Sequence, residues 1–454
     1  MAFKSINPAT GQTVKIVEAW NEMQLEQALV EVAAATPAWE ARPVAARADM
    51  LRRVAAVFRA RRDELARLIS LEMGKLIGEA RGEIDKCATG CEYYAAHGAD
   101  FIADEVIDSD AGRSLVAYQP LGTVLAVMPW NFPFWQVFRF AAPALVAGNT
   151  CVLKHASNVP GCALAIEEVF LEVGLPAGVF RSLMIPAGRV SRVIEDKRIH
   201  AVTLTGSEPA GRAVAAVAGA QIKKSVLELG GSDPFIILED ADLDLAVKTA
   251  VASRFLNAGQ SCIAAKRFIP VAAIADEFVA RFKVAVEGLR PGDPLLETTT
   301  LAPMARVDLR DELHQQVIDS IMKGAVAVTG CRPFPGEGAY YEASILDHVV
   351  PGIRAYAEEF FGPVAIVIRA QDETDALRIA NDSPFGLGGS VWTRDSARGE
   401  RVARQIESGA VFVNGLVKSD PRLPFGGIKR SGYGRELSRH GLREFVNTKT
   451  IWIR

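Results

Sequence analysis

The sequence predicts an α/β protein built on a doubly wound parallel sheet, and two patterns carry that prediction. From about residue 114, short β-branched runs alternate with helical stretches, as parallel strands joined by helical crossovers must. Ahead of them, residues 22–80 repeat apolar side chains every three or four positions among Arg, Glu and Asp, as in MLRRVAAVFRARRDELARLI, which is the period of surface helices. At 454 residues, with 49% hydrophobic and 23% charged side chains, the chain has room for two or three lobes and a cleft between them. The same numbers exclude a fibrous or wholly disordered chain.

Taken in order, the N-terminal MAFKSINPATGQ has no apolar run of the signal-peptide kind. The arginine-rich stretch 52–62 reads as a solvated helix face rather than a nucleic-acid-binding one, because Asp49, Asp63 and Glu64 offset it. The strands TVLAVM, TCVLK, HAVTL, SVLEL and FIIL follow, and ligands in such sheets collect beyond the carboxyl ends of the strands. A site is therefore expected at the turns after Met128, Lys154, Leu204 and Leu229. The apolar stretch 132–153 is interrupted by Arg139, Pro143 and Asn149, so no membrane span is expected. A second α/β unit runs through AIVIRA, VWT and AVFVNG at 365–415, and the C-terminal EFVNTKTIWIR alternates like an exposed strand whose edge needs a partner.

A formal charge of −3, from 51 Lys plus Arg against 54 Asp plus Glu, provides no field for nucleic acid or an anionic membrane. The six cysteines have no CxxC or disulfide-framework spacing and read as reduced thiols of a cytoplasmic protein. The six histidines have no metal-ligand spacing, so no metal is expected. Neither a GxSxG elbow nor a Walker loop is present.

Candidate chemistry sits in five places. Asn257-Ala258-Gly259-Gln260-Ser261-Cys262 closes a helix of about 242–256 with a polar turn that presents a thiol, the partly exposed setting a cysteine nucleophile needs; a small buried hydrophobe is the alternative. Glu228 ends the apolar strand SVLELGG, where burial would raise its pKa toward that of a general base; a strand-end ion pair is the alternative. Asn131, between Pro129 and Pro133, is either an oxyanion donor or a helix N-cap. Lys154, and the Gly206-Ser207 turn opening a helix, suit phosphate or sugar contacts, although the turn is not GxGxxG. Arg139 is a charge in an apolar helix that needs a carboxylate partner, structural or from a substrate.

In order along the chain, PWNFP, LK, TGS, LELGG, GQSC, EEFFGP and PFGG-x-K-x-SG-x-GRE resemble the NAD(P)-dependent aldehyde dehydrogenase superfamily from residue 7 almost to the end. KHA at 154–156, LELGGSDPFI, AAKRF and GRELS are similar to the bacterial Sad-type succinate-semialdehyde dehydrogenases. The resemblance implies a Rossmann-type cofactor domain (1–101 and 121–230), an α/β catalytic domain (231–430) and a small β oligomerisation element (102–120 and 446–454) of a homodimer or homotetramer.

It further implies Cys262 as nucleophile, Glu228 as the base activating the deacylating water, and Asn131 with the Cys262 amide as oxyanion hole. NAD or NADP would be held by Trp130, Lys154, Ser157, Gly206, Ser207, Leu229, Glu359 and Phe361. Substrate would meet Arg139, Phe132, Ser419 and Phe425, with Lys418 and Arg422 nearby. NAD-preferring relatives usually carry Glu where Ser157 stands, so use of both cofactors is expected. Leu256 replaces a second substrate-binding arginine found in some relatives, and Ala264 leaves no redox cysteine pair with Cys262. The implied reaction is oxidation of succinate semialdehyde. Glutarate semialdehyde, an uncharged aldehyde and a catalytically silent subunit are the alternatives.

Overall fold

The computed structural model describes residues 2–454. A hairpin of β1 (Ala2–Ile6) and β2 (Thr13–Glu18) precedes four helices, α1 (Glu22–Glu40), α2 (Val44–Ala60), α3 (Arg62–Met73) and α4 (Ile77–Phe101). These four helices match the periodic region of the sequence. Three arginines of α2 and α3 lie in surface ion pairs, Arg53 with Asp49, Arg59 with Glu92 and Arg62 with Asp85. They cover a solvated face, as the interleaved acids suggested.

Two short strands, β3 (Glu105–Ile107) and β4 (Arg113–Pro120), lead into the first sheet. That sheet is formed by β5 (Thr123–Met128), β6 (Thr150–His155), β7 (Phe180–Ser182), β8 (Ala201–Thr205) and β9 (Lys224–Glu228). Their spatial order is β9-β8-β5-β6-β7, all parallel. Helices α5 (Trp135–Ala147), α6 (Pro160–Glu172), α7 (Val190–Glu195) and α8 (Glu208–Ala220) are the crossovers. The pleat assigns alternate residues of β5 to opposite cores. Val124, Ala126 and Met128 pack with α2–α6, whereas Leu125 packs with Leu25, Leu29, Val193 and Val214 on the other face. This two-sided cover is why strands such as VLAVM read as continuous apolar runs.

The chain leaves this sheet through Gly230-Gly231-Ser232 and starts a second one at β10 (Asp233–Ile237). After α9 (Leu243–Phe255) come β11 (Ala265–Pro270), α10 (Ala275–Glu287), α11 (Val307–Met322), β12 (Val326–Thr329), β13 (Ser344–Asp347) and β14 (Val364–Val367). Then follow β15 (Phe385–Gly386), β16 (Gly388–Trp392), β17 (Ala410–Val413), β18 (Ile428–Lys429), β19 (Gly432–Tyr433) and β20 (Val446–Ile453). The second sheet has the order β12-β13-β14-β11-β10-β16-β17, antiparallel only at β12. β19 returns to the first sheet and pairs antiparallel with β9, setting Gly432 opposite Glu228. The C-terminal β20 pairs along its full length with β4, and β3 completes a separate three-stranded sheet.

No helix among the described residues is long and apolar enough to cross a membrane.

Candidate active site

Three consecutive left-handed residues build the turn before the thiol: Asn257 (φ 54°), Ala258 (φ 51°) and Gly259 (φ 74°). Such backbone is costly for the first two and must be held by its surroundings. Arg254 supplies much of that hold. Its buried guanidinium donates to the carbonyls of Gly259 (2.7 Å), Ala265 (3.1 Å), Phe360 (3.3 Å) and Gly362. Asn257 donates through Nδ2 to the Asn131 carbonyl (2.8 Å) and through its backbone N–H to the Glu79 carboxylate (3.1 Å). Burial pushes the Glu79 carboxyl up to about 7. Lys266 closes the other side, donating to the carbonyls of Ser261 (2.7 Å) and Cys262 (2.6 Å) and pairing with Glu359 (3.1 Å).

Cys262 is the one cysteine of the six that is not fully buried. Burial still pushes its thiol up to about 11, against the pull of Arg139 and Lys266. Its backbone N–H donates to nothing among the described residues, which leaves it available to an incoming oxygen. Asn131 is buried but caps no helix. The N–H groups of Phe134 and Trp135 at the start of α5 are taken instead by Glu83 Oε1, at 2.8 and 3.0 Å. The Asn131 Nδ2 donates to the Gln260 carbonyl at 3.1 Å, tying the PWNFP turn to the thiol-bearing turn and leaving its second N–H free.

Glu228 ends β9 with both carboxylate oxygens buried and without a hydrogen-bond partner. A strand-end ion pair is thereby corrected: no cation lies in salt-bridge contact with it among the described residues. Burial, reinforced by Glu436, holds its pKa well above the usual carboxylate range. A Cβ on Gly426 would stand 2.6 Å from Oε1, so the carboxyl is packed directly on that glycine. Glu436 in turn forms a buried ion pair with Arg139. That is the structural partner Arg139 required, and Thr205 Oγ1 accepts a further bond from Nη2 at 3.3 Å. The guanidinium also stacks over the Phe425 ring, 4.5 Å from its centroid.

Cys262, Arg139, Phe132, Ser419 and Phe425 share the lining of one cavity of about 100 Å³. Drug-sized sites run to several hundred Å³, so this one admits a short chain only. Lys418 reaches its rim, whereas Arg422 points away to the surface and pairs with Asp420 at 2.6 Å. Lys86, Trp135 and Gln136 also line it, and the sequence had pointed to none of them. Leu256 is present in the lining where some relatives carry arginine.

Two larger hollows hold others of the candidate residues. One of about 560 Å³ includes Lys154 and Ser157 in its walls, and one of about 390 Å³ includes Glu359 and Phe361. The Lys154 ammonium, at the end of β6, has neither an ion-pair nor a hydrogen-bond partner among the described residues, and burial lowers its pKa. A largely buried, uncompensated cation beside a cavity fits hydroxyl or phosphate oxygens of a nucleotide. Glu359 accepts from the Gly231 N–H at 3.0 Å, and Phe361 meets the edge of Trp130 with centroids 5.9 Å apart. Gly206 is bonded to the Glu228 carbonyl at 3.0 Å, and Ser207 stands at the start of α8 without capping it. Leu229 is buried against Gly211 of α8. These three lie at strand ends but in the walls of neither hollow.

A partly exposed thiol on a constrained turn, free N–H donors on that turn and the one tied to it, and a buried unpaired carboxyl that shares Arg139 with the thiol as a charged neighbour suit covalent attack on a carbonyl followed by hydrolysis. The aldehyde dehydrogenase family's sequence pattern matches residues 1–451. The chain belongs to the aldehyde dehydrogenase family. Among its relatives, a probable NADP-dependent succinate-semialdehyde dehydrogenase of Synechocystis is 52% identical over the whole of both chains. The succinate semialdehyde dehydrogenase Sad of Escherichia coli, described as using NAD(P), is 48% identical over 99% of this chain and 97% of its own. The crystal structure of succinic semialdehyde dehydrogenase from Streptococcus pyogenes with NADP superposes at a TM-score of 0.98 over the full length of both chains, at 38% identity. This aldehyde dehydrogenase thus keeps its thiol, its unpaired carboxyl and its small cavity on a scaffold shared along the entire chain.

Proposed function

We propose that the protein oxidises succinate semialdehyde to succinate with NADP or NAD as acceptor. The observation that carries this reading is the small cavity in which the Cys262 thiol shares walls with the cationic Arg139 and Lys86 and the Ser419 hydroxyl. The names of the Synechocystis, Escherichia coli and Streptococcus relatives support the same substrate.

In this reading Cys262, once deprotonated, adds through Sγ to the aldehyde carbon, and the developing oxyanion is met by the Cys262 N–H and the free N–H of Asn131 Nδ2. When bound, the nicotinamide nucleotide supplies the hydride acceptor that turns this adduct into a thioester. Glu228 then takes a proton from the water that releases succinate, and its raised pKa suits it to that transfer near neutral pH. Phe132 and Phe425 shape the walls around the short chain. Lys154 and Ser157 hold the adenosine ribose end of the nucleotide, Gly206, Ser207 and Leu229 flank its pyrophosphate, and Glu359, Phe361 and Trp130 hold the nicotinamide end. Ser157 puts a hydroxyl, not a carboxylate, beside the adenosine ribose, which leaves room for the 2′-phosphate of NADP.

The exposed β20, with Trp452 52% and Ile453 48% accessible, supports assembly into a homodimer or homotetramer through this strand. Six thiols with no disulfide support a cytoplasmic setting. Reduced-nucleotide formation with succinate semialdehyde and with butyraldehyde tests the substrate. A preference for the neutral aldehyde would replace succinate semialdehyde with an uncharged substrate.

A further inference from the structure

Lys86 projects from the middle of α4 into the same cavity as Cys262. No carboxylate lies within ion-pair distance of it among the described residues. Of the other cations of the lining, Arg139 already has its charge matched by Glu436, and Lys418 stands exposed at the rim. The Lys86 Nζ donates one hydrogen bond, to Ser419 Oγ at 2.7 Å, and stands 4.5 Å from the centroid of the Trp135 ring. The Trp135 Nε1 donates to the same Ser419 Oγ at 3.0 Å. Two donors thus occupy the acceptor side of the Ser419 hydroxyl, and its own proton goes to no acceptor in the protein. The result is a cluster of unspent donors: the remaining N–H groups of Lys86 and the O–H of Ser419, around a positive charge and with no acceptor supplied by the fold. Partly buried cations and donors of this kind need an anionic acceptor, and the cavity is where it would sit.

We propose that Lys86, together with the Ser419 hydroxyl it orients, receives the distal carboxylate of the substrate and so selects short ω-oxo carboxylates over neutral aldehydes. The assignment rests on the substrate reading above and deepens it by moving the charge recognition from Arg139 to a helix more than forty residues earlier in the chain. It also accounts for the leucine at 256: with an ammonium entering from α4, a second arginine beside the thiol is not required. Burial lowers the Lys86 pKa to about 8, aided by the nearby Arg139 and opposed by Cys87 and Glu83 on α4 and by Asp420 beyond Ser419. A lysine deprotonates as pH rises through its pKa, so carboxylate binding should weaken above about pH 8, whereas binding of a neutral aldehyde has no such dependence.

The test compares kcat/KM for succinate semialdehyde and butyraldehyde in the wild type, Lys86→Met and Lys86→Arg, with NADP saturating. The expected result is a wild-type preference for the semialdehyde that falls roughly 30- to 100-fold in Lys86→Met, mainly through KM, and is largely restored in Lys86→Arg. In the wild type, the ratio of the two KM values should also move against the semialdehyde between pH 7 and 9.5. A preference that survives Lys86→Met, or a KM ratio independent of pH, would overturn the role of Lys86 while leaving the substrate intact. A wild type that does not prefer the semialdehyde would overturn both. The pH series needs no variant, so a misfolded Lys86→Met would not protect the proposal.

Discussion

Burial raises both groups at the site, pushing the Cys262 thiol up to about 11 and holding the Glu228 carboxyl well above its usual range. The thiolate fraction at neutral pH is therefore small and rises with pH. In the cofactor-free protein, alkylation of Cys262 by iodoacetamide should accelerate roughly tenfold per pH unit between pH 7 and 9, with the other five cysteines silent because they are buried. A flat profile would mean that a neighbouring group has already taken the proton. For Glu228, replacement by Gln removes the proposed base but keeps the shape of the site. Glu228→Gln should release a burst of reduced nucleotide and then turn over roughly 100-fold or more slowly than the wild type. A steady rate close to wild type would give the hydrolytic step to another group. Both residues were legible in the sequence because each sits in a short local motif, a glycine turn before Cys262 and a double glycine after Glu228. Asn131 was legible in place but not in company: the helix start it was set beside is capped by Glu83, 51 positions from Phe134, and no local pattern carries that.

At the scale of elements, α9 and the turn behind it depend on one side chain. Arg254 fastens the turn at Gly259 to the segment holding Phe360 and Gly362, so the elements bearing Cys262 and Glu359 move as one body. Arg254→Met leaves four buried carbonyls short of a donor and should cost about 3 kcal/mol or more. The check is thermal unfolding together with nucleotide affinity measured without turnover; unchanged values of both would show that the turn holds itself. The helical period of 22–80 and the strand-helix alternation were read correctly because they repeat over many residues. Periodicity alone does not give the step from β9 to β10, since SVLEL and FIIL look like neighbours in one series; only the resemblance set a boundary there, at 230/231. The chain instead passes through Gly230-Gly231-Ser232 into a different sheet. Apolar alternation reports that a strand is buried, not which sheet buries it. Lys86 and Glu436 escaped for a related reason: their partners Ser419 and Arg139 lie hundreds of residues away in sequence, so their charges look solvated until the chain is folded.

For the whole molecule, the proposed function gives the nucleotide and the short aldehyde separate hollows. At the first, Ser157→Glu would add a carboxylate where the proposed function seats the 2′-phosphate and should lower kcat/KM for NADP by roughly 100-fold, with little change for NAD. Equal losses would mean that Ser157 does not face the ribose. At the second, the charge of the substrate decides. Initial rates of nucleotide reduction by the purified protein with succinate semialdehyde and with butyraldehyde, each with NADP and with NAD, test it most directly. A strong preference for the semialdehyde and substantial rates with both cofactors are expected; equal or better turnover of butyraldehyde would rule out succinate semialdehyde as the preferred substrate.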